Sequence, residues 1–301
     1  MTAITPPEAK PPGGDPVPTD DGTLPPLREV IARHGLAARR ALGQHFLLDG
    51  NLTARIARAA GALTDCVVVE IGPGPGGLTR ALLAAGAGQV IGIEKDERCI
   101  AALETLRAHF PDRLHILTAD ARDIDVVAVA RRVDGRKQLK IIANLPYNVA
   151  TPLLIGWLRN TDGISEMVLM FQKEVAQRLC APPGSRRYGR LSVLAQWRCR
   201  VARLFDIPGR AFVPPPRVDS TVMRLTPRRE PLAPAPLEAL ERVTAAAFGQ
   251  RRKMLRSSLK ALGIDVGAFI AAADINPETR AERLDVVEFC ALARILAEGE
   301  A

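Results

Sequence analysis

The feature of this sequence that most constrains the fold is a short apolar segment that runs directly into a glycine-rich turn. Residues 66–71 (CVVVEI) are apolar except for Glu70, and residues 72–77 (GPGPGG) follow at once. The residues after the turn, 78–86 (LTRALLAAG), have the composition of a helix. Because a strand that is buried on both faces has an unbroken apolar sequence, this order predicts a central parallel strand, a tight turn and a helix.

The alternation of strands and helices continues beyond this unit. Further apolar strands are predicted at residues 90–93, 114–117, 139–143 and 167–171. Asn51 is predicted to cap the helix that precedes the glycine turn. Such an alternation predicts an α/β fold with a doubly wound, Rossmann-like sheet of parallel strands.

Composition divides the chain into three parts. Residues 1–26 contain eight prolines and three glycines, which predicts a disordered tail that ends just before a helix starting near Leu27. Residues 226–236 (TPRREPLAPAP) are a second proline-rich segment, and only helical spacing follows it. We therefore expect a Rossmann-like domain over residues 27–226 and a small α-helical domain over residues 227–301.

The charge of the chain favours a polyanionic partner. Lysine and arginine number 41 against 33 acidic residues, which gives a net charge of +8. The predicted tail is acidic, so the folded part is more basic than the total indicates. Nucleic acid is the favoured class of partner, and an acidic membrane surface is the less favoured one.

The cysteines do not form the pattern of a disulfide framework or of a zinc site. Five of them are scattered over positions 66, 99, 180, 199 and 290 without a C-x-x-C pair, and there are only four histidines. This usage predicts free thiols in a reducing compartment. No apolar run has the length of a membrane span, and the N-terminal residues lack a secretion signal pattern. We expect a cytoplasmic protein without a metal and without membrane contact.

The glycine turn is compatible with two cofactors. Gly72, Gly74 and Gly77 have the spacing of a dinucleotide-binding loop, so a nicotinamide cofactor is one interpretation and a turn without ligand is another. Glu70 beside the loop favours S-adenosylmethionine, because that molecule carries a positive sulfonium and no phosphate.

Two further acids follow neighbouring strands. Glu94 ends the second strand, where a carboxylate can accept both ribose hydroxyls of either cofactor. Asp120 follows the third strand, where it can accept a hydrogen bond from an adenine amine or, equally, cap a helix.

The segment Asn144-Leu145-Pro146-Tyr147 ends the fourth strand, at the edge of the sheet where ligands bind. The Asn144 side-chain oxygen and the Leu145 carbonyl can hold the two hydrogens of an adenine amine and raise the electron density on its nitrogen. Tyr147 can stack on the base. Alone, the motif is better explained as a polar turn, but its place behind the glycine loop and the two acids favours a catalytic role.

Several motifs together resemble a known family, the ribosomal RNA adenine dimethyltransferases, in their bacterial small-subunit branch. The motifs are LGQHFL (42–47), VEIGPGPGGLT (69–79), IEKD (93–96), NLPYN (144–148), FQKEVAQRL (171–179), YGRLSV (188–193), FVPPPRVDS (212–220) and FGQRRKMLRSSL (248–259). The resemblance implies transfer of methyl groups from S-adenosylmethionine to the N6 amines of two adjacent adenosines in a 3′-terminal hairpin loop of 16S rRNA. The partner would be the small ribosomal subunit, and the protein a monomer. The family's cofactor contacts fall on His45, Leu47, Gly72, Glu94, Asp120 and Asn144.

A basic segment near the C-terminus adds a candidate RNA contact. If residues 248–260 form one helix, four cations lie within about 100° of arc beside an apolar seam of Leu255 and Leu259. The cations are Arg252, Lys253, Arg256 and Lys260. A merely solvated face is the alternative. Arg186, Arg187 and Arg190, which flank Tyr188, are a second candidate contact.

Four other functions remain open at this point. The antibiotic-resistance branch of the same family methylates large-subunit RNA with the same catalytic motif. A DNA adenine methyltransferase would need a sequence-reading module, which we do not find. A nicotinamide-dependent dehydrogenase disagrees with Glu70 and with Asn144–Tyr147. A non-catalytic assembly factor disagrees with the intact acids Glu94 and Asp120.

Overall fold

The structure is a computed structural model that describes residues 24–39 and 43–299. The strands are β1 (Phe46–Leu47), β2 (Cys66–Ile71), β3 (Gln89–Glu94), β4 (Leu114–Thr118), β5 (Gln138–Asn144), β6 (Ile164–Gln172), β7 (Cys199–Ile207), β8 (Phe212–Val213) and β9 (Ser220–Pro227). The helices are α1 (Leu27–Arg33), α2 (Gly50–Ala59), α3 (Gly77–Ala84), α4 (Glu97–His109), α5 (Val126–Asp134), α6 (Tyr147–Arg159), α7 (Lys173–Leu179), α8 (Arg190–Arg198), α9 (Leu237–Gly249), α10 (Leu255–Ser258), α11 (Val266–Ala272) and α12 (Val286–Glu298).

Seven strands form the central sheet in the order β4-β3-β2-β5-β6-β9-β7. The strands from β4 to β6 are parallel, as the alternation of strands and helices predicts. β2 is the middle one of these five parallel strands, and all six of its residues are buried. The carboxyl ends of β2, β3, β4 and β5 therefore meet at one edge, which is where the glycine turn, Glu94, Asp120 and Asn144 lie.

The five strands predicted from the sequence are all parallel, but the sheet has two further strands, β9 and β7, on the β6 side. β9 runs antiparallel to both β6 and β7. The connection from β7 to β9 spans residues 208–219 and contains no α-helix, whereas parallel neighbours are usually joined through one. The sequence did not reveal β7 because that strand forms the edge of the sheet, and four of its nine residues are charged, exposed or both.

Asp49, and not Asn51, caps α2. The Asp49 carboxylate accepts hydrogen bonds from the main-chain nitrogens of Asn51 at 2.8 Å and Leu52 at 3.2 Å. Both residue types are good caps, but a carboxylate is additionally favoured at the positive end of a helix, so the helix begins one residue before Asn51.

The proline-rich segment 226–236 is bound to α8. The Leu232 main-chain N–H donates a hydrogen bond to the Trp197 carbonyl at 2.9 Å, and the Trp197 ring N–H donates one to the Ala233 carbonyl at 2.8 Å. One hydrophobic cluster extends from the sheet into α9 and α12. The segment is thus a fixed connection, and the division into domains at 226/227 stays a prediction.

Most of the predicted disordered tail, residues 1–23, lies outside the described residues. Its last three residues are described, and they are ordered: Leu24 is buried, and the Pro25 carbonyl accepts a hydrogen bond from Arg80 at 2.7 Å. Leu24 is apolar enough to bury, so the prediction of disorder is wrong for residues 24–26. Among the described residues, no helix combines the length and the apolar character that crossing a membrane requires.

Candidate active site

A cleft lies at the carboxyl edge of the parallel strands, and its volume is about 1040 Å³ including the space at its open mouth. All of the cofactor-binding and catalytic residues predicted from the sequence line it, namely His45, Leu47, Gly72, Glu94, Asp120, Asn144, Leu145, Pro146 and Tyr147. These residues come from five separate segments of the chain, so the fold brings them together. Their roles toward ligands stay predictions.

The glycine turn passes close to other walls of the cleft. Gly72 and Gly74 have φ angles of +65° and +56°, which side-chain-bearing residues rarely adopt. A Cβ atom on Gly74 would lie 3.2 Å from the Phe46 ring, and one on Gly72 would lie 3.4 Å from Pro146. Glycine is therefore required here both by the backbone conformation and by the close approach.

Glu94 joins the end of β3 to the glycine turn. One carboxylate oxygen accepts the Gly74 main-chain N–H at 3.1 Å, and the other accepts those of Lys95 at 2.8 Å and Asp96 at 2.9 Å. Burial raises the pKa of this carboxyl, and the three amides act in the opposite direction. Glu94 therefore holds the turn in shape as well as lining the cleft.

Asp120 does cap a helix, which was the alternative to its cofactor role. Its carboxylate accepts the Arg122 main-chain N–H at 3.0 Å at the start of a 3₁₀ turn. It also pairs with the Arg122 guanidinium at 2.8 Å and with Lys95 Nζ at 3.3 Å. These hydrogen bonds hold the pKa of Asp120 far below its usual range, so this carboxylate stays ionised and paired with Arg122 and Lys95.

Asn144 has a defined orientation. Its side-chain nitrogen donates to the His45 carbonyl at 3.2 Å, which leaves the side-chain oxygen as an acceptor. The Leu145 carbonyl accepts no hydrogen bond from the described residues. The two acceptors that the sequence predicts for an amine are thus both uncommitted.

The rings of Tyr147 and His45 lie side by side at this end of the cleft. Their centroids are 5.4 Å apart and their planes are inclined by 33°. The Tyr147 hydroxyl shares a hydrogen bond with Ser220 at 2.6 Å, and the His45 Nδ1 donates to the Pro214 carbonyl at 2.8 Å. Sequence reasoning missed both anchors, although both lie in the motif FVPPPRVDS.

Gln44 is a further residue that sequence reasoning missed. Its side chain donates to Asp96 at 3.0 Å and accepts the Arg39 main-chain N–H at 2.9 Å. Asp96 is also paired with Arg98 at 2.7 Å, which lowers the pKa of Asp96 to about 2. Gln44 therefore fixes the segment that carries His45 onto the start of α4. The first residue of its motif, Leu42, lies outside the described residues.

Glu70 does not present the charge that the sequence argument assumes. It is 2% exposed and accepts one hydrogen bond, from the Thr79 hydroxyl at 2.7 Å. Burial raises its pKa to about 8, so in the protein without ligand this carboxyl is largely protonated at neutral pH. The reason is that β2 buries every side chain it carries, including its one acid.

Replacing Glu70 by glutamine should stabilise the folded protein in a pH-dependent way. Between its ordinary pKa of 4.5 and the folded value of about 8, this carboxyl is ionised in the unfolded chain but protonated in the folded one. This difference destabilises the fold increasingly as pH rises, by up to about 1.4 kcal/mol per pH unit, and becomes constant above the folded pKa. In urea unfolding, the Glu70→Gln advantage should therefore grow from about pH 5 to pH 8.

The exposed Glu97 provides the control for this measurement. Glu97→Gln makes the same chemical change at an exposed side chain and should alter the free energy of unfolding by less than about 0.5 kcal/mol. A Glu70→Gln difference that does not grow from about pH 5 to pH 8 would contradict the assignment of a protonated Glu70.

The predicted basic helix over residues 248–260 is wrong. α9 ends at Gly249, residues 250–253 form a turn, and Leu255–Ser258 form a separate short helix. The interruption has a cause in Arg251, whose guanidinium binds the carbonyls of Tyr188 at 2.6 Å and Ser185 at 3.2 Å and the carboxylate of Glu282 at 3.0 Å. These contacts draw the chain away from a helical path.

The exposure predicted for this segment is nevertheless confirmed. Leu255 and Leu259 are buried, whereas Arg252, Lys253, Arg256 and Lys260 are all exposed. Arg256 has an acidic neighbour, Glu278, at 3.6 Å. Arg186 and Arg187, in the loop that Arg251 binds, and Arg190, the first residue of α8, are exposed too, while Tyr188 between them is buried.

Arg251 and Arg252 should separate stability from surface charge. Arg251→Ala removes three hydrogen bonds, two of them to main-chain carbonyls, so we expect a loss of about 1–3 kcal/mol in the free energy of unfolding. Arg252→Ala removes an exposed side chain with the same charge and should change that free energy by less than about 0.5 kcal/mol. Chemical denaturation measures both. Equal stabilities of the two variants would show that the Arg251 contacts do not hold this turn.

No group of residues within 24–39 and 43–299 is arranged to hold a metal ion.

The chain matches a family model and many relatives over most of its length. The model described as ribosomal RNA adenine dimethylase matches residues 35–298. A ribosomal RNA small subunit methyltransferase A from Rhodospirillum rubrum is 62% identical over 271 residues, covering 90% of this chain and 92% of that protein. A protein of the same name from Paramagnetospirillum magneticum is 62% identical over 275 residues, covering 91% and 95%.

Two solved structures have similar architecture. A dimethyladenosine transferase from Plasmodium falciparum superposes with a TM-score of 0.70 at 24% identity, covering 85% of this chain and 98% of that one. The 23S rRNA methyltransferase ErmE superposes with a TM-score of 0.63 at 26% identity, covering 84% and 99%. These likenesses confirm the predicted Rossmann-like fold with its helical C-terminal part.

Proposed function

The chain belongs to the ribosomal RNA adenine dimethylase family, and we propose that it dimethylates two adjacent adenosines in a 3′-terminal hairpin loop of 16S rRNA. As a member of this family it is an S-adenosylmethionine-dependent methyltransferase. The family expected from the motifs is thus confirmed, and the nicotinamide alternative is wrong. The choice of small-subunit RNA is supported by relatives that are about 60% identical and carry that name.

The residues of the cleft fit S-adenosylmethionine. Glu70 and Glu94 are two buried carboxyls, and neither forms a salt bridge with a cation among the described residues. Such a wall is suited to a ligand of positive charge, because a cation beside buried carboxyls replaces the missing counter-charge. The turn at Gly72 and Gly74 leaves no room for side chains, so a ligand can approach the main chain closely.

In this proposal each residue has a defined task. Glu94 accepts hydrogen bonds from the ribose hydroxyls, and Asp120 accepts one from the adenine amine of the cofactor. His45, Leu47, Gly72 and Asn144 form the rest of its contacts. S-adenosylmethionine supplies an electrophilic methyl group when it is bound.

The target adenosine is held by the segment at the end of β5. The Asn144 side-chain oxygen and the Leu145 carbonyl accept the two amine hydrogens, which raises the electron density on N6. Pro146 fixes the carbonyl, and Tyr147 stacks on the base. Positioning of the amine then supplies most of the catalysis, so no general base is required. After the first transfer, one amine hydrogen remains, and the base can return for the second.

The observation that carries the proposal is the orientation of Asn144. Its nitrogen is committed to the His45 carbonyl, so its oxygen is an acceptor in a cleft that also contains the uncommitted Leu145 carbonyl. Two fixed acceptors beside an aromatic ring are what recognition of an adenine amine needs.

The choice of RNA can be tested by labelled methyl transfer into small and large ribosomal subunits that lack the modification. We expect label in the small subunit only. A second candidate is modification of large-subunit RNA, which the structural similarity to a 23S rRNA methyltransferase favours. Label in the large subunit alone would establish that candidate instead. The expectation of a monomer stays a prediction.

Neutralising Arg252, Lys253 and Arg256 together should weaken RNA binding in a salt-dependent way. Each lost phosphate contact should flatten the slope of log affinity against log salt by about 0.7–0.9. None of the three residues lines the cleft, so cofactor affinity should not change.

The exposed cations Arg131, Arg132 and Arg136 offer a matched control with the same change in charge. Their neutralisation should leave the slope nearly unchanged. Equal slopes for both triple variants would mean that only net charge matters and that the segment at 252–256 is not an RNA contact.

A further inference from the structure

Ser220 makes a contact that the proposed chemistry does not use. It is completely buried, and its hydroxyl lies 2.6 Å from the hydroxyl of Tyr147. For both hydroxyl groups this is the one hydrogen bond that the described residues provide. A buried serine that contacts the outer end of a cleft-lining ring is placed to control that ring.

The position of Ser220 is fixed by the sheet. It is the first residue of β9 and is paired on one side with Gln172 of β6 and on the other with Ile207 of β7. Its neighbour Asp219 is anchored as well, because it accepts the main-chain N–H groups of Gly209 at 3.0 Å and Lys173 at 2.9 Å. The serine hydroxyl therefore has a rigid support that is independent of the segment carrying Asn144.

The Tyr147 ring is consequently held at both ends. Its main chain starts α6 directly after Pro146, and its hydroxyl is held from β9, two strands away from β5. Held at only the main-chain end, the ring would be free to turn about its side-chain torsions. The shared hydrogen bond removes this freedom before a base arrives.

His45 supports the same ring from the side. The segment that leads from β8 into β9 supplies both anchors, since Pro214 binds the His45 ring and Ser220, the first residue of β9, binds Tyr147. A base sandwiched between two rings needs about 7 Å, twice the ~3.4 Å spacing of stacked bases. The observed 5.4 Å is too short for a base to lie between the two rings.

We propose that Ser220 is a positioning residue that sets the Tyr147 ring at the angle at which the target adenine stacks. This inference rests on the proposed function, in which Tyr147 receives the adenine. Ser220 itself does not touch the substrate. Its contribution is preorganisation, because misplacement of a positioning group lowers the rate even when the reacting groups are intact.

The test is a double-mutant cycle with Ser220→Ala and Tyr147→Phe, measured by methyl transfer into undermethylated small subunits. Each change removes the same hydrogen bond and leaves the ring in place. We expect each to lower kcat/KM for RNA by about three- to tenfold, as the loss of one ordinary hydrogen bond does. The double variant should be no worse than either single one, and KM for S-adenosylmethionine should be unchanged.

Thr221→Val is the matched control. Thr221 is the next residue of β9, equally buried, and its hydroxyl binds Asp206 at 2.7 Å, away from the cleft. Its removal should leave kcat/KM at the wild-type value. If Ser220→Ala is too unstable to assay, Tyr147→Phe measures the loss of the same bond from a half-buried side chain.

A spectroscopic signal can show the bond directly, because the chain has only two tyrosines. With ¹³C-labelled tyrosine Cζ, Ser220→Ala should move the Tyr147 resonance and leave that of Tyr188 in place. Wild-type kinetics in Ser220→Ala, or losses that multiply in the double variant, would overturn the positioning role. A wild-type protein that leaves adenine N6 unmethylated would instead refute the proposed function.

Discussion

Asn144→Ala should reduce methyl transfer by about 100-fold or more, comparable to the loss of one preorganised hydrogen-bonding group in an enzyme active site. The substitution removes one of the two acceptors that hold the target amine, and only the Leu145 carbonyl is left. It also removes the hydrogen bond to the His45 carbonyl, so some cofactor affinity should be lost with the rate. Single-turnover methylation at saturating cofactor separates the two effects.

Tyr147→Ala distinguishes stacking from amine recognition at the same site. It removes the aromatic surface, so we expect a loss of about 1–3 kcal/mol in the free energy of RNA binding. Turnover should fall as well, while cofactor affinity is nearly preserved. Tyr147→Phe keeps the ring and should retain far more activity. Asn160→Ala, at the other end of α6, is the control and should be fully active. An Asn144→Ala enzyme with more than half of the wild-type rate would refute the role of Asn144.

Glu94→Ala should weaken the binding of S-adenosylmethionine by about 1.5–3 kcal/mol, because a charge-assisted acceptor for the ribose hydroxyls is lost. The structure adds a second reason: the main-chain N–H groups of Gly74, Lys95 and Asp96 lose their acceptor, and the glycine turn loses a support. Isothermal titration calorimetry measures the affinity.

Glu94→Gln and Glu97→Ala complete this experiment. Glu94→Gln keeps one oxygen acceptor and should lose less affinity than Glu94→Ala. Glu97→Ala removes an exposed acid three residues further along and should bind the cofactor normally. Unchanged binding in Glu94→Ala would refute the assignment of Glu94.

The parallel part of the fold and the composition of the cleft were predictable because they depend on local patterns. The apolar run at 66–71 matches β2 residue for residue, since a doubly buried strand is apolar at nearly every position, here at all but Glu70. The residues after each parallel strand meet at one edge by topology alone. This places Gly72, Glu94, Asp120 and Asn144 in the cleft without any need to know the side-chain packing, whereas His45 and Leu47 were predicted from the family resemblance.

The rest depends on contacts between distant segments, which no local pattern contains. β7 alternates like a surface segment because it is an edge strand, and its pairing with β9 is a long-range event. Arg251 breaks the expected basic helix through carbonyls more than 60 residues away. The protonated state of Glu70 follows from its burial, and the sequence shows only that it is an acid.

The nucleoside identity of the product tests the central claim most directly. Methylated RNA is digested at intervals during the reaction and its nucleosides are analysed by mass spectrometry. A pocket that holds an amine through two acceptors must let the monomethylated base return after the base has lost one donor. N6-methyladenosine should therefore appear transiently, and N6,N6-dimethyladenosine should accumulate. Methyl groups on ribose oxygens, on base carbons or on cytosine, with adenine N6 unmodified, would contradict it.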